Sequence, residues 1–250
     1  MVMQKFCASG NDFLITHFLN KKDFKNLAKK LCDRHYGFGA DGFIVLIPSE
    51  QADFEWLFYN SDGTKADMCG NGARATALYA YKNKIADKKM SFVTGAGIVK
   101  AEVFPKNIVQ TELTKPKILS DKMISEYGFD WFFVNTGVPH LCAFVDNLDK
   151  FDLETASKLR HKYNSNVNLF TIKNGLLYVR TFERGVENET LACGTGMCAC
   201  AFFANKIGML KTDVITVIPK SLESVEVLIS DGFIYFRGVV TVVGSCLQFD

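Results

Sequence analysis

Met68-Cys69-Gly70-Asn71-Gly72-Ala73-Arg74 and Ala192-Cys193-Gly194-Thr195-Gly196-Met197-Cys198 are near-copies of each other. A shift of 124 positions lays Cys69 on Cys193, Gly70 on Gly194 and Gly72 on Gly196. The same shift lays Ala75, Ala77 and Ala80 on Ala199, Ala201 and Ala204, and, upstream, Phe58 on Phe182. The offset is close to half of the 250 residues. Two similar halves are expected, each presenting one Cys-Gly-x-Gly turn.

The segments around the two turns follow one plan. In the first half, alternating or continuous apolar runs read as strands at 13–17, 43–47, 54–59, 91–94, 98–103 and 108–113. Helical spacing marks 23–36, where Phe24, Leu27, Ala28, Leu31 and Cys32 share a face, and 70–83. The second half gives strands at 131–135, 141–145, 167–172, 176–182, 214–217, 225–229, 233–236 and 239–243. Its helices are expected at 152–163, with Asp152 or Thr155 as cap, and at 194–207. Many strands with about two helices per half lack the rhythm of a doubly wound sheet. The expected class is α+β, built of two pseudo-symmetric lobes. Each lobe is a mixed, mostly antiparallel sheet curled around one apolar helix. The lobes are expected to comprise residues 1–113 with 241–250, and 114–240, with the boundary near Thr114 to Pro116.

Composition narrows the function. A net charge of +2 gives no electrostatic case for nucleic acid. Apolar runs such as Phe43 to Ile47 are strand-sized, far below the ~20 residues of a membrane span. No leader-like segment opens the chain, so a soluble, cytoplasmic protein is expected. The eight cysteines have no disulfide-framework spacing, and no Cys-x-x-Cys pair is present. No metal is expected. Cys198 and Cys200, about 200° apart on a helix, read as small apolar helix residues.

Cys69 and Cys193 differ from the other cysteines because each opens a helix. Free N–H groups and the positive end of the helix dipole favour a thiolate there. The same N–H groups attract a carboxylate. A lone Cys-Gly-x-Gly segment is more often a tight turn with a buried thiol, but two copies in register need a further reason. Two matched thiols suit removal of a proton from one face of a carbon and its return to the other. Polar segments accompany them: Gly10-Asn11-Asp12-Phe13, Thr136-Gly137-Val138-Pro139-His140 and Phe182-Glu183-Arg184-Gly185. Taken singly these are a turn, a satisfied histidine and a surface ion pair.

At these residues the chain resembles the diaminopimelate epimerases, enzymes of lysine and peptidoglycan precursor synthesis. The resemblance also covers Gly39 to Gly42 (GADG), Asn60 to Gly63 (NSDG), Val167-Asn168 and Glu189 to Gly196 (ETLACGTG). It implies a cofactor-independent epimerase in which Cys69 and Cys193 are the base and acid for L,L- and meso-diaminopimelate. It implies that the N–H groups of Gly70, Asn71, Gly194 and Thr195 hold the carboxylate of the reacting carbon. Asn11, Asn60, Asn168, Glu183 and Arg184 match positions that bind the amino and distal groups, and His140 a supporting histidine. A homodimer, a small-molecule substrate and no cofactor are further implications. Two departures stand out: Gly42 replaces a Gln of some relatives, and Val138 replaces an Asn.

Three other readings remain open at this point. Proline and hydroxyproline racemases share the two cysteines but carry His in place of Asn71. Phenazine-biosynthesis-like isomerases share the fold without the cysteine pair. A non-catalytic amino-acid-binding protein would keep the site without the proton transfer.

Overall fold

A computed structural model describes residues 1–113 and 115–248 of the chain. Two compact units emerge, Met1–Thr111 with Gly238–Asp250, and Glu112–Arg237. Thr114, at the expected boundary between halves, lies outside the described residues.

The first unit contains β1 (Val2–Ala8), β2 (Asn11–His17), α1 (Lys25–Cys32), β3 (Gly42–Ile47), β4 (Phe54–Asn60), α2 (Gly70–Lys82), β5 (Lys89–Thr94) and β6 (Gly97–Phe104). The chain leaves it along β7 (Ile108–Leu113). The second unit holds β8 (Lys117–Ile118), β9 (Ile124–Glu126), β10 (Phe129–Asn135), β11 (Pro139–Phe144), α3 (Leu153–Tyr163), β12 (Asn166–Lys173), β13 (Leu176–Glu183), β14 (Asn188–Glu189) and α4 (Gly194–Lys206). It continues with β15 (Val214–Ile218) and β16 (Val225–Ser230), leads out along β17 (Phe233–Val239), and the chain ends as β18 (Thr241–Leu247) in the first unit.

The two units repeat one topology. β1 runs antiparallel to β2, β2 parallel to β3, β3 antiparallel to β4, β4 parallel to β5, and β5 antiparallel to β6. The same sequence of pairings links β10, β11, β12, β13, β15 and β16. Each parallel step needs a crossover, which a helix supplies in all four cases. The mixed, mostly antiparallel α+β class expected from the sequence is what forms.

Register aligns the repeats residue by residue. Phe13 stands opposite Gly42 in the first unit, and His140 opposite Asn166 in the second. Gly42 and Asn166 are 124 apart, so His140 takes the place of Phe13, and Val138 that of Asn11. One expected match fails. Phe58 packs among Phe13, Trp56 and α2, whereas Phe182 packs with Leu141, Val167 and Leu159 of α3. Phe182 faces Val167 as Tyr59 faces Phe43, so the counterpart of Phe182 is Tyr59. A slip of one residue in a strand turns a side chain to the other face.

The helices behind the two turns are almost wholly internal. In α2, Gly70 through Ala80 are buried; in α4, Met197 through Ala201, Phe203 and Ala204 are. Alanines let the sheet approach closely, and most of the large side chains come from the strands, with Phe203 supplied by α4. Phe54 stacks on Phe92 at 4.9 Å, and Phe132 on Phe203 at 4.6 Å. Each such fully buried aromatic contributes about 2–3 kcal/mol. Cys198 and Cys200 are wholly buried within α4, and burial together with the neighbouring Cys142 pushes the Cys200 thiol up.

Local chemistry corrects several expected boundaries. α1 stops at Cys32 instead of continuing to Tyr36, because Asp33 turns extended and its Oδ1 accepts from the N–H groups of His35 and Tyr36. Asp152 is the cap of α3, accepting from Glu154 and Thr155. The run expected at 239–243 is broken at Val240 between β17 and β18. β1, which the sequence pattern does not mark, pairs with β18 some 240 positions away.

Candidate active site

In the first unit, the head of β2, the head of β3, the tail of β4 and the head of α2 meet at one end of the sheet. They bring together Asn11, Asp41, Gly42, Asn60 and Cys69. Cys69 is the N-cap of α2, in an extended conformation, and its Sγ accepts from Gly72 N at 3.4 Å. Ala73 N–H is taken by the Cys69 carbonyl. Of the first N–H groups of the helix, those of Gly70 and Asn71 have no partner within it. Arg74, a member of the motif to which no role attached, is fully buried. Its Nη2 donates to Ser9 Oγ and to Asn71 Oδ1, both at 2.9 Å, which fixes the Asn71 side chain behind the helix start.

The Cys69 thiol points to Asn11 Oδ1 at 3.7 Å. The orientation of that amide is not free. Its Nδ2 donates to Asp41 Oδ2 at 2.6 Å, and a carboxylate oxygen cannot face the amide oxygen there. Asp41 is itself held by Arg34 at 2.8 Å and by the backbone N–H of Asp12. Burial raises the Asp12 carboxyl, but Arg34 and Lys5 outweigh it and hold it down at about 2. Asn60, exposed, donates through Nδ2 to Thr64 Oγ1.

The second unit assembles the corresponding end from β11, β12, β13 and α4. Cys193, 5% exposed, is the N-cap of α4. It makes no side-chain cap bond to the helix. Its Sγ lies 3.6 Å from Thr195 Oγ1. Thr195 Oγ1 is 2.9 Å from His140 Nε2, and the Thr195 carbonyl accepts from Thr136 Oγ1 at 2.8 Å. Burial, with the Arg184 charge adding to it, pushes His140 down to about 3, so this imidazole is neutral. His140 thus reaches the thiol through Thr195.

Asn168, expected to contact substrate, is a correction. It is fully buried and its amide is spent internally. Its Nδ2 donates to Leu141 O at 2.9 Å and faces His140 Nδ1 at 3.2 Å, while its Oδ1 accepts from Thr181 Oγ1 at 2.8 Å. Asn166, two residues earlier on the same face and not singled out by the sequence, is also buried, next to the end of β13. Its Oδ1 accepts from Arg184 N at 2.7 Å. Glu183 ends β13 and Arg184 follows it, but their side chains do not form the ion pair that the sequence allowed. Arg184 Nη1 donates to Asn164 O, and burial pushes the Glu183 carboxyl up, opposed by Thr190.

The Gln-to-Gly departure also has a structural counterpart. A Cβ on Gly42 would meet Phe58 Cε2 at 2.4 Å, so the Phe58 ring occupies the space of a longer side chain.

The fold recurs in solved structures. The chain is similar over its full length to a Bacillus anthracis phenazine biosynthesis protein of the PhzF family, with a TM-score of 0.75, 15% identity and 99% of that chain covered. It is similar over 99% of its length to a probable proline racemase from Agrobacterium radiobacter K84, with a TM-score of 0.78, 12% identity and 92% of that chain covered. The family follows from sequence. A family model described as diaminopimelate epimerase matches residues 3–119 and 132–242. A diaminopimelate epimerase of a Nitratiruptor species is 51% identical, over 96% of this chain and 95% of its own. The chain belongs to the diaminopimelate epimerase family.

Proposed function

We propose that the protein interconverts L,L- and meso-diaminopimelate without a cofactor, and that Cys69 and Cys193 are its two proton-transfer groups. The observation that carries the assignment is the repeat itself. Two units of one topology each place a cysteine at the N-cap of a buried helix whose first N–H groups are left for a ligand.

The reaction begins with one sulfur as thiolate and the other as thiol. The thiolate takes the α-proton and becomes a thiol, leaving an electron pair on carbon. The second thiol delivers its proton to the opposite face and becomes the thiolate. Protons balance, and the product leaves the two sulfurs with exchanged states. The α-hydrogen is a weak acid, so developing charge needs stabilisation. The N–H groups of Gly70 and Asn71 and of Gly194 and Thr195 supply it through the carboxylate attached to that carbon. Asn11, Asn60, Glu183 and Arg184 serve the amino and distal groups, joined by Asn166 in place of Asn168. The proposal includes a cytoplasmic homodimer, which sedimentation of the purified protein tests.

The assignment is tested by incubating the reduced protein with L,L-diaminopimelate and resolving stereoisomers by chiral chromatography. Meso product from the wild type, and none from Cys69→Ser or Cys193→Ser, is the expected result. Turnover of proline or hydroxyproline instead would move the protein to the racemases. Unchanged turnover in either serine variant would remove the two-thiol assignment.

A further inference from the structure

We propose that the two thiols are unequal at rest. Cys69 carries the proton, Cys193 is the thiolate, and Asp41 and His140 are the positioning residues that set the difference. This rests on the reading of Cys69 and Cys193 as acid and base.

The argument for Cys69 starts from an acceptor. Asn11 Oδ1 lies 3.7 Å from its sulfur, and the amide cannot reverse while Asp41 Oδ2 holds Nδ2 at 2.6 Å. A protonated sulfur satisfies both neighbours, donating to Asn11 Oδ1 and accepting from Gly72 N. A thiolate would face the amide oxygen with no proton between them, which disfavours the charged form. Asp41 keeps its position because Oδ1 takes Arg34 and Oδ2 also takes the N–H of Asp12. The other charged groups of this cluster are Asp12 and Lys5, paired with each other at 2.9 Å.

For Cys193 the same reasoning runs in the opposite direction. Thr181 Oγ1 donates to Asn168 Oδ1, and Asn168 Nδ2 donates to Leu141 O, so the Asn168 amide has one orientation. Its second N–H then points to His140 Nδ1, which must accept. The ring proton sits on Nε2 and donates to Thr195 Oγ1. Asn166 Nδ2, 3.4 Å from Nε2, is a non-bonded neighbour in this tautomer. His140 takes one of the two lone pairs of Thr195 Oγ1, and the Thr195 O–H has Cys193 Sγ, 3.6 Å away, as the acceptor within reach. A donor to sulfur favours the thiolate; Gly72 N gives Cys69 one as well, but there the Asn11 oxygen opposes it. Cys142, Cys198 and Cys200 are the other titratable groups around α4, and Arg184 is the charge facing His140.

The two repeats differ at the positions that matter. Register puts Val138 where the first unit has Asn11, and Ser165 where it has Asp41. Neither Val138 nor Ser165 reproduces the Asn11–Asp41 pair. The free enzyme is thereby primed for the stereoisomer that presents its α-hydrogen to Cys193, and the opposite isomer requires the proton to be relocated first.

The test is the pH dependence of alkylation by iodoacetamide, followed by peptide mass spectrometry. Cys193 is followed in Cys69→Ser and Cys69 in Cys193→Ser, so neither titration is coupled to the other. The midpoint pH is compared rather than the rate, which removes differences in access. The midpoint for Cys193 is expected at least about one pH unit below that for Cys69, a tenfold difference in thiolate fraction. Adding Asp41→Asn should free the Asn11 amide to turn its donors to sulfur, lowering the Cys69 midpoint and leaving Cys193 unmoved. Adding His140→Phe should raise only the Cys193 midpoint. Coincident or reversed midpoints overturn the proposal, as does an Asp41→Asn variant that leaves Cys69 unmoved. If the wild type fails to exchange the α-proton of diaminopimelate, the functional reading falls, while the midpoints still decide where the proton resides.

Discussion

The ring of Phe58 stands where a side chain on Gly42 would go. A Cβ there would lie 2.4 Å from Phe58 Cε2 and 3.1 Å from the Tyr59 carbonyl. The ring cannot easily yield, because it packs edge-on to Phe13 at 6.0 Å and against Trp56 at 5.4 Å. Gly42→Ala should therefore destabilise the protein by about 1–3 kcal/mol, the usual cost of overpacking. Gly42→Gln should be worse, and Phe58→Ala should partly relieve it in the double variant. Urea unfolding of the wild type, Gly42→Ala, Gly42→Gln, Phe58→Ala and the Gly42→Ala/Phe58→Ala double variant checks this, and additive effects in the double variant would contradict the contact.

The two matched glycines at the third helical position should respond differently. A Cβ on Gly72 meets Cys69, Ile44 and Phe13 at 3.4 Å, which is ordinary contact. A Cβ on Gly196 meets Asn168 Oδ1 at 2.4 Å, and Thr181 holds that oxygen in place. Gly72→Ala should leave stability unchanged or raise it by about 0.5–1 kcal/mol through helix propensity. Gly196→Ala should lose about 1–3 kcal/mol and disturb the Asn168–His140–Thr195 chain. Thermal denaturation of the two variants distinguishes them.

Cys69 fills a capping position that serine fills better. Its sulfur reaches Gly72 N at 3.4 Å, and a serine oxygen is among the preferred caps. Cys69→Ser should keep or raise stability by up to about 1 kcal/mol while abolishing epimerisation. A chemical denaturation midpoint equal to or above wild type, together with lost turnover, separates chemistry from folding. A variant that loses activity because it unfolds would contradict this.

Acid should weaken the second unit through His140. Its folded-state value is pushed from the ordinary 6.5 to about 3, chiefly by burial. Below pH 6.5 the unfolded chain takes up a proton that the folded chain refuses. The contribution of the neutral imidazole is complete above pH 6.5 and falls as pH drops toward 3, by up to about 1.4 kcal/mol per pH unit. His140→Phe, which copies the Phe13 of the other repeat, removes that titration. Its unfolding midpoint should fall less between about pH 7 and about pH 4.5 than that of the wild type, and parallel falls would contradict the assignment.

The sequence carries the repeat openly because the two turns need the same rare residues at the same spacing. Cysteine followed by two glycines survives at 69–72 and 193–196, and with it the position of both helices. Strand phase is harder to read. Phe58 and Phe182 match by offset yet face opposite sides, since a slip of one residue between β4 and β13 leaves the local apolar pattern intact. The same difficulty separates Asn166 from Asn168. They share a face and both are buried, and only the partners, Arg184 N for one and Thr181 Oγ1 for the other, tell them apart. β1 escapes local patterning because the strand that completes it, β18, comes from the opposite end of the chain. The proton-bearing chain through Thr195 is out of reach for a further reason: it depends on amide orientation, which sequence does not encode locally.

The most direct measurement is proton NMR of L,L-diaminopimelate with the reduced protein in deuterated water. The account predicts loss of the α-proton signal at the epimerised centre, with deuterium entering as the meso isomer appears, and neither change in Cys69→Ser or Cys193→Ser. An α-proton signal that persists undiminished with the wild type, or meso product that retains the original hydrogen from the first turnover onward, would contradict proton transfer by two thiols.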